Sequence, residues 1–192
     1  RRLAINTGQF MEQEASFHDW PFPVAVTRHK IVQASNPLLR FMSLLDHFEC
    51  LVRYVYLSHE VLAGKIPEVD DRPSLGWWVD RLADSVKDDS SFREVLKITE
   101  KERVVNLRNE TRGHGWMASS EESYRGEAED LEAIIEKIED ELRSYLEGQR
   151  LVVPRQIRLR DSSWFVEGDE LLGSHPLHPP FSYCFIEGTL GC

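Results

Sequence analysis

The sequence predicts a mainly α-helical fold, a bundle of four to five helices followed by a small C-terminal β appendage. Apolar residues recur at helical spacing from residue 37 to 63 and again from 92 to 112 and 121 to 147, and prolines and glycines punctuate the ends of those stretches. From residue 149 the pattern changes to short alternating, β-rich runs. A chain of 192 residues that is 41% hydrophobic can bury one core and a small appendage. The expected divisions are an N-terminal arm over 1–20, the helical bundle over 21–148 and a β-rich extension over 149–192. The last of these is expected to be truncated, because the sequence stops at Cys192 just after a strand-like segment.

The elements follow in order. "DWPFPVAVTRHKIVQ" has prolines at 21 and 23 and then a short helix-compatible run to about residue 34. Asn36-Pro37 offers an N-cap with proline at the first helical position, and the run after it continues to a glycine stop at Gly64. Its apolar residues, among them Leu38, Phe41, Leu45, Phe48, Val52 and Val55, cover more than one face, as expected of a central helix with several neighbours. Asp46, Glu49 and Arg53 share one polar stripe of that helix by their spacing.

"GKIPEVDDRPSLG" reads as a loop, and "WWVDRLADSV" as a short amphipathic helix with both tryptophans in the core. "FREVLKITEKERVVNLRNETR" reads as one further long helix, ended by Gly113. Ser119 with Glu122 three residues on is a capping-box pattern that opens the last long helix. Leu131, Ile134, Ile135, Ile138, Leu142, Tyr145 and Leu146 form its single apolar stripe, and Gly148 ends it. Ten acidic residues between 121 and 141, against Arg125 and Lys137, make its other face either a solvated surface or a dock for a basic partner. "RLVVPRQIRLR", "SWFVEG" and "FSYCFIEG" give two or three strands.

Composition narrows the function. Lys+Arg total 23 against Asp+Glu 33, a net charge of -10, so general electrostatic attraction to nucleic acid or to an anionic membrane is excluded and any such contact needs a local basic patch. No apolar run approaches the roughly 20 residues of a membrane span, and no signal-peptide pattern opens the sequence, so a cytoplasmic protein is expected. Cys50, Cys184 and Cys192 are never spaced as a pair of metal ligands, and reduced thiols are expected. His175-Pro176-Leu177-His178 has a ligand-like spacing, but its proline prevents a helix and no third ligand is near, so no metal and no cofactor are assigned. His47 and His59 in the long helix read as partly exposed or internally satisfied.

One stretch carries chemistry. In "RNETRGHG", Arg108 and Arg112 stand about one helical turn apart, Arg103 lies a turn or so upstream, and His114 follows the helix-ending glycine. The arginine fork suits a phosphate and histidine titrates near neutrality, so together they supply charge stabilisation and proton transfer without a metal. The plainer alternative is that Arg108 pairs with Glu49 or Asp46 inside the bundle and His114 caps helix carbonyls.

Arg108-Asn109 with His114 after five intervening residues resembles the motif of the HEPN superfamily, an arginine, usually a polar residue next, and a histidine four to six residues further on. The helix order over residues 21–148 is similar to the HEPN bundle, whereas the β segment lies outside the resemblance. The resemblance implies metal-independent endoribonuclease activity, with 2′-hydroxyl attack on the adjacent phosphate at a composite site between two copies of the chain, in a bacterial toxin or phage-defence role. It implies His114 as proton carrier, Arg108 as stabiliser of the phosphorane and Asn109 as an orienting group. Arg112, Glu49, Asp46 and Arg103 are the expected RNA-binding or supporting residues. The partners implied are RNA, a second copy of the chain and an antitoxin or other regulator. The alternative reading is a catalytically inactive HEPN-like module that binds a nucleotide or a protein.

Overall fold

The computed structural model describes residues 17, 19–87, 92–101, 104–113, 121–149, 151–160, 163–173 and 180–186. Among them are six helices, α1 (Phe22–Gln33), α2 (Pro37–Leu62), α3 (Leu75–Val86), α4 (Arg93–Lys101), α5 (Val104–Gly113) and α6 (Glu121–Glu147). Three strands follow, β1 (Val152–Arg160), β2 (Ser163–Glu170) and β3 (Pro180–Ile186). None of these helices is long and apolar enough to cross a membrane.

α2 is the central element, packed against α1, α3 and α6. Its start is the predicted one: the Asn36 side chain accepts a hydrogen bond from the Leu39 amide at 2.9 Å, and Pro37 occupies the first turn, where no amide hydrogen is required. Its stop is also as predicted. Gly64 has φ +71°, a left-handed conformation that any Cβ would strain, and this lets the Lys65 amide turn back to the Glu60 carbonyl at 2.9 Å. Between these ends Phe41, Leu44, Leu45, Phe48, Leu51, Val52 and Val55 are buried on more than one side of α2. Leu131, Ile135, Ile138, Leu142 and Leu146 of α6 complete the core as the single stripe read from their spacing.

The segment read as one helix over 92–112 is helical over α4 and α5, and residues 102 and 103 between them lie outside the described residues. Two elements differ from the sequence reading. α3 begins at Leu75 rather than at the tryptophans, because the Ser74 hydroxyl accepts from the Trp77 amide at 3.1 Å and caps the helix there. Trp78 is buried as expected, while Trp77 is only partly so. Finally, Phe17 and Trp20, within the segment read as an arm, are buried in the main core.

The strands form one antiparallel sheet in the order β1-β2-β3. Pro154, which cannot donate to a ladder, sits on the edge strand at a register shift between Pro154 and Gln156. Backbone hydrogen bonds tie the sheet to the entry of α1: the Phe22 amide donates to Leu171 O and the Gly173 amide to Trp20 O, each at 2.9 Å.

A polar seam crosses the core where α1, α2 and α6 meet. His47 is 0% exposed, with Nδ1 2.8 Å from Thr27 Oγ1 and Nε2 2.9 Å from Glu139 Oε1. Arg28 Nε lies 3.3 Å from the same Glu139 oxygen. A carboxylate only accepts, so the Nε2 hydrogen belongs to the Glu139 bond. The helical acids are therefore not all a solvated face: Glu139 is buried, and Glu132 receives Arg40 at 2.6 Å and Arg28 at 3.6 Å. Such a seam fixes which faces of three helices meet, since any other register strands a buried carboxylate. His47→Ala removes one partner of that carboxylate and opens a cavity, and should lower the unfolding free energy by about 2–4 kcal/mol. Urea denaturation followed by circular dichroism checks this, and a loss under about 0.5 kcal/mol, the range of an ordinary surface change, contradicts it.

Candidate functional site

Arg108, Asn109 and Arg112 lie on α5, and the structure joins that helix to α2 through one carboxylate. Glu49 is 8% exposed, on the α2 stripe that the sequence marked. Its Oε2 accepts from Arg108 Nη2 at 2.9 Å and from Arg108 Nε at 3.2 Å. Its Oε1 accepts from Arg53 Nη2, one turn along α2. One carboxylate thus holds two guanidiniums, and the three groups carry a net charge of +1. Side-chain exposures are 20% for Arg108 and 42% for Arg53, so the cluster is rooted in the bundle and opens to solvent on the Arg53 side.

Of the two acids considered as support for Arg108, Glu49 accepts from its guanidinium. Asp46 is exposed one turn before it on α2. Asn109 and Arg112 belong to α5, with side chains outside the described set, and Arg103 and His114 lie outside the described residues. His175 and His178 lie outside them too. Arg53 is the residue that the motif did not single out. Its signal was its i+4 relation to Glu49, but only the fold reveals that its guanidinium also covers a tryptophan, with the guanidinium carbon 5.2 Å from the centre of the Trp78 ring.

Two other polar groups occupy α2. Ser85 Oγ donates to Glu60, so the His59 Nδ1 hydrogen is directed at Ser85 Oγ, 2.7 Å away. That order sends the serine proton to a carboxylate instead of to the imidazole, which is not the arrangement of a histidine-activated nucleophile. The Ser85 hydrogen bond holds the Glu60 carboxyl below its usual range, against the opposing effect of burial. Cys50 is a free thiol whose Sγ contacts the Pro23 carbonyl at 3.4 Å, and burial pushes its pKa up. Among the described residues no three His, Cys, Asp or Glu side chains are placed to hold a metal ion.

No known protein family, curated protein or solved structure matches this chain. Chemically, the cluster is a fixed cation: the carboxylate aims the Arg108 guanidinium and restrains its rotamers, as anion binding requires. Glu49→Ala leaves two guanidiniums at a helix–helix contact without their acceptor and should cost about 2–4 kcal/mol, the lower part of the range for broken buried pairs because Arg53 is partly in water. Asp140→Ala, which loses an exposed pair with Arg143 on α6, should stay within about 0.5 kcal/mol. Thermal or urea unfolding of both variants provides the comparison, and equal losses would refute the distinction.

Proposed function

We propose that this chain is a HEPN-type, metal-independent endoribonuclease that acts as a homodimer in bacterial toxin or phage-defence activity. The observation that carries the reading is the Glu49–Arg108 contact: the motif arginine is held by a buried acid of the central helix at the base of the segment that leads to His114.

In the proposed reaction the 2′-oxygen attacks the adjacent phosphorus, the bond from phosphorus to the 5′-oxygen breaks, and a 2′,3′-cyclic phosphate and a 5′-hydroxyl result. Arg108, its Nε and Nη2 edge set on Glu49, supplies positive charge to the phosphorane. His114 moves the proton, and Asn109 orients the phosphate. The attacking and leaving oxygens lie on opposite sides of phosphorus, so one imidazole cannot readily serve both. Two copies related by a two-fold axis supply one imidazole for each side.

The same Glu49–Arg108 contact also suits the competing reading, a catalytically silent module that binds a nucleotide or a protein, because an interior ion pair needs no substrate. Labelled RNA incubated with the purified protein in EDTA separates the two. Cleavage to cyclic-phosphate ends is expected, falling by at least about 10²-fold in Arg108→Ala and in His114→Ala with circular dichroism unchanged. Cleavage that survives both substitutions, or that appears only when a divalent cation is restored, rules the proposal out.

A further inference from the structure

α3, α4 and α5 meet around a cleft of about 370 Å³. Asn106 lines it from α5, two residues and so about 200° around the helix from Arg108, which means that the cleft and the Glu49–Arg108 contact use different faces of α5. Its space comes from small residues on α3. Gly76 lets that helix approach α5 closely, since a Cβ there would already stand 3.6 Å from Val105 Cγ1, and Ala83, seven residues on, lines the same cleft with a single methyl group. Val79, Leu96 and Val105 complete an apolar wall, and each is only partly buried.

The polar groups around this wall are mostly acceptors. Thr99 is buried and its Oγ1 hydrogen goes to the Val95 carbonyl at 2.8 Å, so the oxygen has only lone pairs left to offer. Asp80 is exposed, is the one charged residue among those lining the cleft, and its carboxylate has no hydrogen bond or ion pair among the described residues. The Asn106 side chain is likewise without a partner there, and its amide adds a further acceptor oxygen. Other clefts of similar size differ in this respect. The one of about 400 Å³ at the start of α2 is lined by Arg40 and Glu132, which bind each other; the one of about 340 Å³ between α2 and α3 is lined by Lys65 with Glu60 and Arg81 with Glu68, two further pairs. In the cleft between α3, α4 and α5 the single charge is unanswered.

We propose that this cleft binds a small organic cation, an apolar body carrying an amidinium or protonated amine, with the body against Val79, Ala83, Leu96 and Val105 and the head on Asp80. An apolar wall with a few convergent polar groups is the usual build of a small-molecule site, and about 370 Å³ lies at the small end of such sites, which suits a ligand of one or two rings. The head donates hydrogen bonds to the Asp80 carboxylate and to the Asn106 amide oxygen. An anionic ligand would meet the same carboxylate with no lining cation to offset it. The proposal does not rest on the ribonuclease reading, because neither Arg108 nor His114 takes part.

Benzamidine, benzamide and benzoate test it, since they share one ring and nearly one shape and differ in the charge of the head. Each is titrated into the isotope-labelled chain and followed by amide NMR at neutral pH. Benzamidine should give saturable shifts at Gly76, Val79, Ala83, Leu96 and Val105 and bind at least about ten-fold more tightly than benzamide, whereas benzoate should not saturate. Asp80→Asn keeps the size of an exposed side chain and should reduce benzamidine to the affinity of benzamide; Asp80→Glu should preserve the preference. Ala83→Leu fills the cleft with the charge intact and should abolish binding of both, with circular dichroism confirming the fold. Equal binding of all three compounds, benzamidine shifts spread over the acidic surface of α6, no saturable benzamidine binding, or an unchanged affinity in Asp80→Asn overturns the proposal.

Discussion

A buried carboxylate that must accept from two guanidiniums at once is the constraint on which the site depends. Glu49 can be 8% exposed only because Arg108 and Arg53 both reach it, and both can do so only if α5 lies against the polar stripe of α2. The desolvation cost of such a charge is large, so the pairing specifies an arrangement more than it adds stability. A second buried acid works in the same way on the other side of the central helix: Glu139, held by His47 and Arg28, sets α6 and α1 against α2. α2 thus carries a polar lock on each of two faces, and the apolar stripes between them supply the burial.

Much of this architecture was legible locally. The cap at Asn36, the stop at Gly64 and the stripe from Leu131 to Leu146 each follow from the chemistry of a few neighbouring residues, and the structure places them as read. What could not be read was which polar groups face inward. Glu139 sits among ten acids that look alike in sequence, and only its position opposite His47 separates it from its solvated neighbours.

The site was legible in part. Arg108 and Glu49 were singled out from motif and stripe, and the fold brings them together. Arg53 was visible only as a member of the stripe, because its significance depends on the ring of Trp78, 25 residues away in sequence. Distant pairs of this kind are set by tertiary packing, which no local pattern encodes. The overall acidity is spread along the chain, only a third of it on α6, so phosphate binding in the proposed reaction depends on the local pairing at Arg108 and not on net charge.

The central claim is that Glu49 and Arg108 act as one unit, and a double-mutant cycle in RNA cleavage measures that coupling directly. With rates taken for Glu49→Gln, Arg108→Lys and the pair, the account predicts strong non-additivity: once Arg108 is replaced, removing the Glu49 charge costs little more, giving a coupling of about 1.5–3 kcal/mol. Additive losses, with coupling under about 0.5 kcal/mol, would mean that the carboxylate does not position the arginine for the reaction.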